Sequence, residues 1–289
     1  MFNLIFLSLA VGLVALIVAS LFDIKTREVP DWLNFSLVAF AIGSALILSI
    51  YHGYHHIIIN SLLGLALGVV IGLFLFYTGQ WGGGDTKLII GLCALIGLSY
   101  SDLGKSIPTI ILFLINTLLV GAIYGLAFSF VKAIMNFKKF RQTAEQRLRS
   151  KEIFIMRIIL LVIGIGAFAF LLISRSIESA FIFGIAMALF LFFYLWAFIS
   201  IVEKSCMIKE VNVSTLTEGD WIVGEVVKGK KVLLKPAKTG ITLKQIEMLK
   251  KHRVRKVTIK IGIPFVPSFL IAYILTFAFG NWMAFLIML

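Results

Sequence analysis

The sequence predicts an α-helical polytopic membrane protein of about eight transmembrane helices, with a small cytoplasmic α+β module before the last helix. Three observations carry that reading. Of 289 residues, 60% are hydrophobic and 14% charged, whereas an ordinary soluble domain is about half apolar and a quarter charged. The apolar residues lie in long runs: 2–22, 32–84, 106–131, 179–202 and 261–289 contain no Asp, Glu, Lys or Arg. Mixed polar segments separate these runs, the longest being 203–262.

A spanning helix needs ~20 mostly apolar residues. The first run supplies one, and no basic residue precedes it, so a retained helix is expected rather than a cleaved signal. Run 32–84 holds two, joined by the polar turn His52-Gly53-Tyr54-His55-His56. Shorter runs at 88–101 and 158–174 bring the count to eight. With the N-terminus outside, every Lys and Arg except Lys105 and Arg175 falls on the inner side, as the positive-inside rule requires. The net charge of +13 then reflects that bias and attraction to anionic membrane lipids. Nucleic acid is not an implied partner, since the basic residues lack interleaved aromatics and a binding motif. Cys93 and Cys206 are isolated thiols that form neither a disulfide framework nor a zinc site. The three histidines of the 52–56 turn fall outside and read as an interfacial turn rather than a metal site.

Between the spans, Pro30 disfavours helix at the residue before it, so the second helix is expected to start near Asp31. Residues 132–157 read as a basic helical extension at the inner membrane surface. In 203–262, Trp221–Val227 and Lys231–Lys235 suggest a hairpin around Lys228-Gly229-Lys230. Thr242 with Gln245 forms a capping-box start for a helix through Lys251, and Val254–Ile261 suggests another strand. A module this small has little core of its own and is expected to lean on the membrane domain. The expected layout is therefore 1–131 as a five-helix membrane core, 132–157 as the basic extension, 158–202 as two further spans, 203–262 as the module and 263–289 as the last span.

The candidate chemistry lies at two carboxylates. Gly79-Gln80-Trp81-Gly82-Gly83-Gly84-Asp85-Thr86-Lys87 is a glycine-rich turn, and glycine lets another chain approach closely. Asp85 in such a turn also has a plain alternative role, capping the next helix. The stretch from Thr86 to Ser101 is only about 24 Å long as a helix, against a hydrocarbon core of ~30 Å. Either that helix stops short or its glycine loop lies below the lipid surface, where irregular backbone needs a protein-lined or wet cavity. Asp23 ends the first span on the same side. Ionisable groups at membrane depth are costly and are functional candidates, and two on one face suit general acid–base hydrolysis.

The segment Asp23-Ile24-Lys25-Thr26-Arg27-Glu28-Val29-Pro30-Asp31-Trp32-Leu33, followed by Gly82-Gly83-Gly84-Asp85, resembles the type IV prepilin peptidase family. Ile261-Gly262-Ile263-Pro264-Phe265-Val266-Pro267-Ser268-Phe269-Leu270 resembles the entry to the last span in its archaeal branch, which processes preflagellins and prepilins. The resemblance covers roughly 20–130 and 204–275; residues 132–202 match no motif. It implies an aspartic endopeptidase with Asp23 and Asp85 catalytic, no metal and no cofactor. The implied substrates are pilin-like or flagellin-like precursors whose short basic leader is cleaved at the cytoplasmic face. Gly82, Gly83, Gly84 and Lys87 would form the supporting loop, and Glu28 and Asp31 are candidates for receiving the leader's basic residues. The four-cysteine module and methyltransferase function of the bacterial branch do not carry over to a chain with two cysteines. Helix-end charges favour Asp85, at a helix N-terminus, as the base and Asp23, at a helix C-terminus, as the acid. An ion-coupled transporter with Asp23 and Asp85 as ion sites is the alternative, and a non-enzymatic anchoring protein a third. The sequence carries no signal for an oligomeric state.

Overall fold

The computed structural model describes residues 2–99, 107–228, 231–237 and 239–280. Ser101, Lys105, the Gly229-Lys230 turn and the apolar run 281–289, on which the sequence reading drew, lie outside the described residues. The apolar runs fold as helices: α1 (Phe2–Thr26), α2 (Asp31–His52), α3 (His55–Tyr77), α4 (Gly83–Ile96) and α5 (Thr109–Met135). Pro30, extended at φ −60° and ψ 138°, sets the start of α2, and Gly53 at φ 72° closes it. After α6 (Phe137–Leu148) come α7 (Lys151–Ser174), α8 (Ile177–Val202) and, beyond the module, α10 (Val266–Phe279).

Among the described residues, six helices are long and apolar enough to cross a membrane: α1, α2, α3, α5, α7 and α8. The expected count of eight is not reached by this measure. Gly97, at φ 72°, ends α4 after 14 residues, and α10 has 14 within the described residues. At ~1.5 Å per residue each is about 21 Å long, short of a ~30 Å core.

The chain divides into two compact units, residues 1–125 with 210–289, and residues 126–209. In the first, α4 is the most enclosed helix, with Leu88, Ile89, Leu92 and Cys93 inaccessible to solvent. Glycines permit this. A side chain at Gly68 would lie 2.8 Å from the Cys93 Cβ, and one at Gly72 3.1 Å from the Thr86 methyl. With Gly64 opposite the Cys93 carbonyl, α3 presents a small residue every fourth position. That is the pattern by which bilayer helices gain dispersion contact where lipid offers no hydrophobic drive. Ser61 Oγ donates to the Ala94 carbonyl at 2.8 Å across the same interface. Asn116 Nδ2 donates to Thr276 Oγ1 at 2.9 Å, tying α5 to α10.

The module completes the first unit. Strands β1 (Ile208–Asn212), β2 (Trp221–Ile222) and β5 (Lys256–Lys260) form a sheet in the order β1-β5-β2, beside a hairpin of β3 (Val226–Lys228) and β4 (Lys231–Leu234). The expected single strand over Trp221–Val227 is broken at Gly224, whose φ of 79° turns the chain. Trp221 and Ile222 therefore pair with Lys260 and Ile259, while Val226–Lys228 takes the hairpin. Helix α9 (Leu243–Lys251) starts as its capping residues require, with the Thr242 amide donating to Gln245 Oε1 at 2.9 Å. Leu249, Ile246, Ile222 and Val257 help form a core belonging to the module itself.

In the second unit, α6 is a basic amphipathic helix whose Phe140 packs on Phe198 of α8 at 5.7 Å between ring centroids. Helices α7 and α8 form a hairpin through Arg175 (φ 48°) and Ser176, whose hydroxyl accepts from the Ser179 amide. Most of their large apolar side chains are exposed, as lipid-facing side chains are.

Candidate active site

The end of α1, the starts of α4 and α10 and the loop before α2 meet around the two aspartates. Asp23 sits in the last turn of α1, with its carbonyl accepting from the Arg27 amide at 3.0 Å. Its side chain is 5% exposed. One carboxyl oxygen accepts from the backbone amide of Val266, the first residue of α10, at 2.9 Å. Asp85 occupies the first turn of α4, where one carboxyl oxygen accepts from the Gly82 amide at 3.3 Å. The helix-capping role open to Asp85 is thus filled in this structure. It uses one oxygen; the other has no hydrogen bond among the described residues.

The loops that carry these residues touch. Val29, buried, lies against Gly84: a Cβ built on Gly84 would stand 3.2 Å from the Val29 nitrogen and 3.4 Å from its Cβ. Only a residue without a side chain fits that approach without shifting its neighbour. Six residues before Val29 is Asp23, and directly after Gly84 is Asp85. The Asp23 charge acts on the Asp85 carboxyl and on the Tyr124 hydroxyl of α5, and the Arg27 guanidinium acts on Asp23. Two carboxyls within each other's field share protons as one system rather than ionising independently.

Lys87 and Asp31 are accounted for by one another. Lys87 Nζ lies 2.5 Å from Asp31 Oδ1 and 5.7 Å from the Phe35 ring centroid, bridging the first turns of α4 and α2. Both side chains are well exposed, so the pair is worth no more than about 1 kcal/mol. Its value is in register between the two loops. Glu28 is exposed and has no ion pair among the described residues. Gly82 precedes α4 in extended geometry, and Gly83 is exposed.

The helix-end ranking of the two carboxyls changes on contact with the fold. Asp23 does end α1, but it also meets the N-terminal amide of α10. Both carboxyls therefore face helix N-termini, and helix-end charge does not separate acid from base. Sequence reasoning gave no role to Trp81, Phe265, Val266 or Tyr124. The segment around Phe265 and Val266 was marked by its resemblance, but its contact with Asp23 spans most of the chain and has no local signal. The groups of His, Cys, Asp and Glu among the described residues include none that could hold a metal.

Fold and site define a multi-pass membrane protein with a paired-carboxyl centre at helix ends. Residues 10–126 match the Type IV leader peptidase family, so the similarity carried by the two aspartate motifs extends over most of α1, all of α2–α4 and most of α5. The relatives include a preflagellin peptidase of Methanocaldococcus jannaschii, 40% identical over 93 residues, covering 30% of this chain and 36% of that protein. A preflagellin peptidase of Methanococcus maripaludis is 34% identical over 101 residues, covering 35% and 44%. A third, from Methanococcus voltae, is 34% identical over 87 residues, covering 30% and 37%. The chain thus spans less than half the length of the curated relatives it matches. No solved structure matches it.

Proposed function

We propose that the chain is a membrane aspartic endopeptidase that removes the short basic leader of type IV pilin-like precursors, archaeal preflagellins or prepilins, with Asp23 and Asp85 as its catalytic pair. The observation that carries the reading is the contact of Val29 with Gly84, which brings two carboxyls from separate motifs into one field. The match over 10–126 and relatives named preflagellin peptidase point the same way. They give no support to the ion-carrier alternative.

One carboxylate takes a proton from water as the hydroxyl adds to the scissile carbonyl carbon. The protonated partner stabilises the carbonyl oxygen and then delivers its proton to the departing nitrogen as the C–N bond breaks. Products are a carboxylate on the leader and an amine on the mature protein. The Asp85 oxygen not bonded to the Gly82 amide is available for this exchange. In the bilayer, the substrate's apolar helix places its scissile bond at the interface. The positive-inside rule puts that interface at the cytoplasmic face, with the N-terminus outside. Asp31 already holds Lys87, so exposed Glu28 is the better candidate for the basic leader. The Gly82–Gly84 loop and Lys87 support the pair.

The experiment is co-expression with an epitope-tagged pilin-like precursor in membranes. Wild-type protein is expected to yield the shortened product, and Asp23→Asn and Asp85→Asn none. Cleavage retained in either variant sinks the two-aspartate mechanism.

A further inference from the structure

We propose that the N-terminus of α10 is a third part of the catalytic centre, with the Val266 amide positioning Asp23 and Phe265 holding that amide in place. The consequence for catalysis rests on the peptidase reading; the positioning itself does not. The Val266 N–H donates to Asp23 across 243 residues of sequence, and the bond is buried. First-turn amides of a helix lack intrahelical acceptors. Here Pro267 has no N–H, and the Ser268 amide is committed to the Phe265 carbonyl at 3.0 Å. Val266 is therefore the first-turn donor left to reach another helix. The Phe265 amide borders the same carboxyl.

What fixes this amide is an aromatic wedge. The Phe265 ring packs on Trp81 at 6.3 Å and edge-on to Phe269 at 5.5 Å between centroids, and Trp81 packs on Phe269 at 5.2 Å. On its far side the ring lies against Gly121 of α5, where any Cβ would overlap it. Trp81 also opens the glycine loop that ends in Asp85. One buried cluster therefore anchors both the amide that orients Asp23 and the loop that carries Asp85. The chain entering α10 is tied as well, since Arg27 Nη1 donates to the Gly262 carbonyl at 3.3 Å. Gly262 is where the module ends, so the module's exit segment is built into the geometry of Asp23.

The test replaces the Val266 amide by an ester, through the corresponding α-hydroxy acid in the full-length protein. This removes the N–H and also weakens the Phe265 carbonyl that accepts from Ser268. An ester at Ser268, which loses the bond to that carbonyl, is the control. Loss of a hydrogen bond to a charged group is expected to lower kcat by about tenfold to a hundredfold with KM unchanged. Carbon-13 spectroscopy of labelled aspartates should show the titration of the pair displaced, with the larger change in the Asp23 carboxyl signal. As a second arm, Gly121→Val, which displaces the Phe265 ring, and Phe265→Ala, which removes it, are each expected to reduce kcat and to displace the Asp23 carboxyl signal. An ester variant with wild-type kcat and an unmoved Asp23 signal overturns the proposal, as does a Phe265→Ala variant in which both are unchanged. If wild-type protein cleaves no precursor, the peptidase reading fails, and the carboxyl spectra still decide whether the amide holds Asp23.

Discussion

Helices α3 and α7 have nearly the same length and the same apolarity, with mean hydropathies of 2.5 and 2.6, yet they do different work. Helix α3 buries Ser61, Gly64, Gly68 and Gly72 against α4. Helix α7 buries only Ile153 and Ala167, and a side chain at its Gly164 or Gly166 would meet nothing within 4 Å. In a bilayer, apolar composition says that a helix is embedded but not what it touches, because lipid is as apolar as leucine. The spacing of small residues decides the neighbour. In α3 they recur every four residues on one stripe, and through α4 that stripe holds Asp85 in place.

Several substitutions test how far this contrast reaches into function. The largest effect is expected at the carboxyls, where Asp23→Asn or Asp85→Asn removes general acid–base catalysis worth about 10²–10⁴ in rate, read as loss of mature product. Next comes Gly68→Leu, which overpacks the α3–α4 interface by about 1–3 kcal/mol and displaces Asp85. Thermal melting in detergent should fall, with activity following. Glu28→Lys should weaken binding of a basic leader. It should raise KM several-fold in low salt and less in high salt, with kcat kept; an unchanged KM removes Glu28 from the leader site. Lys87→Met, which breaks an exposed pair worth no more than about 1 kcal/mol, is expected to cost a few-fold in kcat and little in melting temperature. Smallest of all, Gly166→Leu in α7 should change neither. A large effect there would overturn the contrast with α3.

Much of this was legible in the sequence for physical reasons. Charge-free runs had to be helices in a bilayer, Pro30 had to end one loop, and Thr242 with Gln245 had to start α9. Asp23 and Asp85 stood out because carboxyls at membrane depth are costly. Other features were not legible because they depend on contact. Gly84 reads as a turn residue until Val29 is seen against it. Asp31 and Lys87 each look available for a ligand until they pair. The fourfold spacing of Gly64, Gly68 and Gly72 was a readable signal that the hydropathy pattern masked. Gly224 breaks what looked like a continuous strand because a residue at positive φ cannot continue the ladder. The bond from Val266 to Asp23 depends on tertiary packing alone.

The central claim is that the two aspartate segments meet. Its most direct measurement is a disulfide between Val29→Cys and Gly84→Cys, in a background of Cys93→Ala and Cys206→Ala, followed in native membranes under mild oxidant. The 3.4 Å between the Val29 Cβ and a Cβ at Gly84 is close to the ~3.8 Å of bridged cysteines. The cross-link is therefore expected to form rapidly and nearly completely, shifting mobility on a non-reducing gel after cleavage between the two segments. Two free, reagent-accessible thiols in a folded, membrane-inserted protein would contradict the account.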